Sequence, residues 1–183
     1  MAYANRFCLL LGFLAILFGC YKDGVDPGQL LKNADAEQGS LVPKEWKSFG
    51  GDHVFKVSEE ESVSPTKSLE ISLDVADPVL SGYWYQHICE EVPFGKTLTL
   101  WVMVKGKDLE GEGINLFISS FVEGSTSGPK QKVQSIDKAP IVGTFDWTRY
   151  EVTLDKLDED VACVSVFLQF LPNTTGTVYF DDI

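Results

Sequence analysis

The chain has 183 residues and a formal charge of −12, from 27 acidic and 15 basic side chains. That balance repels phosphate-rich polymers and excludes a nucleic-acid partner. The length fits one domain with its own core, and no internal repeat or low-complexity segment divides it.

Arg6 is the only charge before Lys22, and Phe7 to Phe18 is a weakly polar-to-apolar run. The run is shorter than the roughly twenty residues a bilayer span needs, and has the form of a signal-peptide core. It ends in Leu17-Phe18-Gly19-Cys20, which resembles a bacterial lipoprotein box, with Phe18 where a small residue is usual. The resemblance implies a signal peptide over 1–19, lipidation at Cys20, and a location in the bacterial cell envelope, at the outer membrane or cell surface. Such a protein is anchored to the membrane and does not span it. Residues 20–32 carry Gly and Pro without apolar periodicity and read as a lipidated tether.

From residue 33 onward, high aromatic content and turn signals about every ten residues predict an all-β sandwich or barrel, with no helical periodicity. In Tyr83-Trp84-Tyr85-Gln86-His87, Tyr83, Tyr85 and His87 share one side of a strand, and Trp84 and Gln86 the other. From Leu98 to Val104, the apolar even positions mark the core side and place Trp101 opposite. Phe145–Leu154 and Val161–Leu171 alternate likewise. Pro172–Gly176 is turn chemistry, and the chain closes on Thr177-Val178-Tyr179-Phe180-Asp181-Asp182-Ile183.

Several of these segments stand in a familiar order. They are Asn33-Ala34-Asp35-Ala36-Glu37-Gln38-Gly39 with Trp46 beyond it; Lys67-Ser68-Leu69-Glu70-Ile71; Gln86-His87-Ile88, then Pro93-Phe94-Gly95-Lys96 and Leu98-Thr99-Leu100-Trp101-Val102; Trp147-Thr148-Arg149-Tyr150; and Gly176-Thr177-Val178-Tyr179-Phe180-Asp181-Asp182. The order resembles the galactose-binding-like jelly-roll modules, and more narrowly the carbohydrate-binding modules of families 4, 9 and 22. It covers residues 33–183. It implies a single β-sandwich jelly roll of about ten strands that binds a polysaccharide or oligosaccharide. It also implies a structural Ca²⁺ held by Glu37, the Lys67 carbonyl and Asp181 or Asp182. Ca²⁺ takes six to eight oxygen ligands, so these sites would supply several of them. The alternative is a carboxylate bonded to backbone N–H groups. Trp46 and Trp147 stand where the family keeps packing tryptophans.

The residues themselves favour binding over catalysis. His53 and His87 are the only histidines, and no Ser-His-Asp, Cys-His or zinc-type spacing surrounds them. The acidic runs Glu59–Glu61, Glu90-Glu91 and Asp158–Asp160 read as solvated turns. Flat aromatic surfaces suit the apolar face of a sugar ring, with amides nearby for its hydroxyls. The expected contact surface is Trp84 with Tyr83 or Tyr85, joined by Trp101 and Gln169. A non-catalytic carbohydrate-binding surface lipoprotein is therefore expected. The alternative is a structural or protein-interaction lipoprotein of the same fold. Cys89 and Cys163 either pair in an oxidising compartment or remain buried thiols.

Overall fold

The computed structural model describes residues 28–77, 79–124, 126 and 128–183. The expected signal peptide and Cys20 lie outside the described residues. Nine strands follow in order: β1 (Lys47–Phe49), β2 (Val54–Ser58), β3 (Ser68–Leu73), β4 (Gly82–Ile88), β5 (Leu98–Phe121), β6 (Gln131–Gln134), β7 (Ile141–Leu154), β8 (Cys163–Phe170) and β9 (Thr175–Asp181). A single 3₁₀ turn, Ser135–Asp137, links β6 to β7. The fold is an all-β jelly roll.

Strand β5 organises it. Its first half pairs antiparallel with β7 on one side and β9 on the other, from Leu98↔Leu154 and Met103↔Asp181 onward. Its second half pairs with β8 and β6, through Ile114↔Phe170 and Phe117↔Gln134. Register shifts between Val104 and Ile114 turn the strand from one layer into the other, as bulges do. Gly111 and Gly113, at φ +94° and +84°, lie in that bend against Asn173 and Ile141 backbone, where a Cβ would collide. One layer, the A sheet, runs β7–β5–β9–β3–β2. The other, the B sheet, runs β6–β5–β8–β4–β1.

The core lies between the layers. Leu100, Val102, Val104, Val152, Val178, Phe180, Leu69 and Ile71 come from the A sheet; Ile114, Leu116, Ile118, Val164, Leu168, Phe170 and Trp84 come from the B sheet. Trp46 closes one end and donates its indole N–H to the Asn33 carbonyl. Cys89 and Cys163 form a disulfide that ties the end of β4 to the start of β8 across 74 residues. A loop of that length contributes up to about 4 kcal/mol through the unfolded chain.

Residues 29–32, at the end of the segment expected as a tether, pack against the domain. Leu31 is buried, the Gln29 amide donates to the Ile183 carbonyl at 2.8 Å, and the Gln86 amide bonds both the N–H and the carbonyl of Lys32. A buried side-chain amide that satisfies both backbone polar groups of one residue draws residues 29–32 into the domain.

His53 is a second inward polar group, and both of its ring nitrogens are buried without a hydrogen-bond partner among the described residues. Its ring meets the edge of Phe170 at 5.3 Å and fills the space a Cβ on Gly82 would need. Burial holds its pKa below the ordinary value; Asp77 and Asp52 oppose this more weakly. The unfolded chain therefore takes up a proton near pH 6.5 while the folded chain takes it up at lower pH, so stability falls as pH drops below 6.5. The slope from this group is at most ~1.4 kcal/mol per pH unit. His53→Leu should remove that share, so wild type and variant should diverge in melting temperature between pH 7.5 and pH 5 on thermal scans (a window of about two units).

Candidate functional site: the outer face of the B sheet

Alternation on the five B-sheet strands sends a second set of residues away from the core. These are Lys47 and Phe49 of β1; Tyr83, Tyr85 and His87 of β4; Ser165, Phe167 and Gln169 of β8; Asn115, Phe117 and Ser119 of β5; and Lys132 and Gln134 of β6. Cross-strand register puts Lys47, Tyr85, Phe167, Phe117 and Gln134 on one line across the sheet. Four interstrand spacings make that line roughly 19 Å long.

The rings on the line stack on one another. Tyr85 and Phe167 lie 5.8 Å apart at 20°, and Phe167 and Phe117 lie 4.4 Å apart at 12°. Parallel rings this close overlap face to face, since rings lying flat beside each other would collide. They therefore stand upright on the sheet with their edges outward. The Lys132 ammonium caps the last ring, 4.5 Å from the Phe117 centroid. Tyr83 is turned 83° to Phe167 and stacks at 5.4 Å on the exposed ring of Phe49. Burial, then the neighbouring Tyr85, raises the Tyr83 pKa. Burial, then Lys47, lowers that of His87, whose Nδ1 lies 2.6 Å from the Ser165 hydroxyl.

A run of amides borders the rings. Gln169 donates to the Ser81 hydroxyl at 3.0 Å and accepts from Asn115 at 3.0 Å; Asn115 also accepts from the Ser135 hydroxyl and the Ile136 N–H. Gln134 donates to Asp137. The amides are fixed before any ligand arrives.

Tyr83, Tyr85 and Gln169, expected as contacts, share this face. Trp84 does not. It is 3% exposed, its indole N–H donates to the Glu70 carbonyl at 3.1 Å, and its ring meets Phe55 edge-on in the core. The larger indole takes the interior because a backbone acceptor satisfies its one polar atom. Trp101 points outward, but from the A sheet, where the Arg149 guanidinium covers it at 4.7 Å. The two tryptophans share no groove. Sequence reading missed Phe49, Phe117, Phe167 and Asn115. The available signal was a lone aromatic on the polar parity of a strand, as in Ser165-Val166-Phe167-Leu168-Gln169.

The four residues expected to hold calcium sit in a different arrangement. Asp181, fully buried, accepts at Oδ2 from the N–H groups of Val63 (2.7 Å) and Ser64 (2.9 Å). Its Oδ1 accepts from the Ser64 hydroxyl and the Asp182 N–H, both at 2.7 Å. Glu37 accepts from the N–H groups of Thr66 and Lys67 and from the Thr66 hydroxyl. Despite an opposing effect of burial, these bonds hold its pKa down. Lys67 faces Glu37 through its N–H, and its ammonium bonds the carbonyls of Glu37 and Gly39 at 3.3 and 2.8 Å. Asp182 is half-buried, its pKa raised by burial, then by Asp181 and Asp35. Among the described residues, no three His, Cys, Asp or Glu side chains converge as metal ligands. A cation would have to displace N–H donors already aimed at both carboxylates, so the residues as placed do not fit Ca²⁺.

Searches for similar proteins place the fold. No protein-family model matches the chain, and no curated protein matches it. Among solved structures, the family 22 xylan-binding domain of Paenibacillus barcinonensis Xyn10C superposes with a TM-score of 0.57 at 13% identity, covering 81% of this chain and 93% of that one. A family 61 carbohydrate-binding module solved with β-1,4-galactotriose gives 0.55 at 15% identity, covering 84% and 94%. The enzymatically active domain of a bacteriophage CBA120 tailspike protein gives 0.59 at 10% identity, but the chain spans only 20% of that protein's length. The chain has the β-sandwich jelly-roll fold of carbohydrate-binding modules.

Saturated carboxylates make the clasp a matter of hydrogen bonding. Melting temperature should be the same in excess EDTA and in millimolar Ca²⁺, whereas Asp181→Ala, which strands the N–H groups of Val63, Ser64 and Asp182, should cost roughly 2–3 kcal/mol in denaturant unfolding. A clear rise in melting temperature with Ca²⁺ would contradict this account.

Proposed function

We propose that the protein is a non-catalytic carbohydrate-binding module and that the outer face of the B sheet receives the glycan. The observation that carries this reading is the cross-strand row Tyr85–Phe167–Phe117 with its bordering amides. The outward ring edges supply apolar contact along the polymer, and Gln169, Gln134 and Ser81 supply polar contacts for hydroxyls, with Asn115 buried beneath to fix Gln169. Neighbours of the same fold are described as binding xylan or as solved with galactotriose, which supports the class of ligand. No Asp or Glu occurs in β1, β4, β6, β8 or the second half of β5. Hydrolysis by a carboxylate pair therefore has no place on this face.

Affinity electrophoresis and pull-down on a polysaccharide panel test the proposal. Tyr85→Ala or Phe167→Ala should weaken binding about tenfold or more with the fold intact, corresponding to ~1.4 kcal/mol each. Trp101→Ala, on the opposite sheet, should bind like wild type. If no polysaccharide is retained, the protein-interaction alternative takes its place.

Lipid anchoring through Cys20 belongs to the same proposal, and its support is the sequence of the leader. The full chain expressed in a bacterium should partition with membranes and incorporate labelled fatty acid. Cys20→Ser should abolish both.

A further inference from the structure

The B sheet differs from the rest of the molecule in charge. The chain carries 27 acidic side chains against 15 basic ones, yet the strand segments of this sheet contain no acid. The A sheet strands expose Asp146 and Glu151, with Glu70 and Asp181 buried, and the bend of β5 adds exposed Asp108, Glu110 and Glu112. An acidic protein that merely needed a soluble surface would distribute carboxylates over both faces. The carboxylates that flank the B face lie outside its strands: Glu45 before β1, Glu90 and Glu91 after β4, Asp158 and Asp160 held by Lys130 beside β6, and Asp137 at the rim, bonded to Gln134.

The charged side chains projecting from the face strands are Lys47 and Lys132, and they stand at opposite ends of the ring row. Lys47 is the cross-strand partner of Tyr85 in edge strand β1. Lys132 belongs to edge strand β6, with its ammonium over Phe117. Neither joins an ion pair among the described residues, whereas Lys56, Lys105, Lys130 and Arg149 each sit against a carboxylate. The rings between the two lysines turn their edges outward, and an aromatic edge is the electropositive part of the ring. From end to end, the row offers positive potential to oxygen.

Resting on the reading of this face as the glycan site, we propose that its ligand is an acidic polysaccharide. The polymer lies across the strands, with its anionic oxygens, carboxylate or sulfate, set against Lys47 and Lys132. The two cations, set at opposite ends of the ring row on edge strands β1 and β6, select a chain with repeated charge over a single acidic sugar. The acidic remainder of the molecule disfavours other orientations of a polyanion, so the B face also sets how the chain docks.

Affinity electrophoresis and calorimetry on the full chain decide it. The panel is polygalacturonate and alginate for carboxylate, dextran sulfate for sulfate, and xylan, β-1,4-galactan and a mixed-linkage glucan as neutral polymers. At least one acidic polymer should bind about tenfold more tightly than any neutral one, and whether carboxylate or sulfate polymers bind identifies the group read. That binding should weaken between about 50 mM and about 300 mM salt. The double variant Lys47→Met, Lys132→Met should lose about tenfold for the acidic polymer with an unchanged melting temperature, while Lys107→Met on the A sheet should lose little. Neutral polymers binding as well as acidic ones, or an unaffected double variant, would overturn the inference and leave the glycan reading standing. Retention of no polymer at all would overturn both.

Discussion

The structure depends on one strand serving two sheets. The first half of β5 is hydrogen-bonded between β7 and β9, and its second half between β8 and β6. Even-numbered residues face the core along both halves: Leu100, Val102 and Val104 before the bend, Ile114, Leu116 and Ile118 after it. The bend at Gly106–Gly113 therefore preserves parity, and odd-numbered residues emerge on opposite outer surfaces, Trp101 on the A sheet and Phe117 on the B sheet. A one-residue change in the length of that bend would exchange core and surface for every later residue of β5. Asn115, Phe117 and Ser119 would then leave the outer face together.

Most of the sandwich was legible because its strands obey period two. Leu98–Val104 shows which side is buried: one parity is wholly aliphatic, and the structure buries it. Tyr83-Trp84-Tyr85 resists the same reading, because both parities are aromatic and hydrophobicity cannot rank them. The decision falls to hydrogen bonding. Trp84 finds the Glu70 carbonyl, and Gln86, on the same parity, finds both the backbone N–H and the carbonyl of Lys32. Partners 14 and 54 residues away in sequence leave no local pattern. The same contact explains why residues 29–32, which lack apolar periodicity, belong to the domain. One side-chain amide bonding the backbone of one residue has no periodicity to show.

The clasp between Glu37, Asp181 and the 63–67 loop was legible only as a set of carboxylates. An acidic letter records a negative charge and says nothing of what neutralises it. Here the neutralising groups are mainly backbone N–H donors of Val63, Ser64, Thr66 and Lys67, which every residue but proline possesses. Ser64 fastens the arrangement, because its hydroxyl lies within reach of the Asp35 carbonyl, Glu37 and Asp181. Lys67 adds a charge from the chain itself. The clasp joins the segment before β1 to the end of β9, where the Ile183 N–H also donates to the Ala34 carbonyl. Both ends of the domain are thus held by contacts internal to the chain.

Rigidity of the B face follows from the same economy of contacts and bears on what it can bind. Each ring of the row is gripped by its neighbours, Asn115 is 2% exposed and bonded at both ends of its amide, and the disulfide at Cys89–Cys163 pins β4 to β8 beside the rings. Side chains already ordered add no further entropy cost when a ligand arrives, and that cost runs to ~0.5–1.5 kcal/mol for each one otherwise mobile. Lys47 and Lys132 are the exception: both are exposed on short edge strands, β1 bonded to β4 alone and β6 to β5 alone. The face is therefore preorganised at its centre and adjustable at its rims. Fixed rings and amides can hold a register along a polymer, and a flexible cation at the margin can follow a charge whose position varies from one repeat to the next.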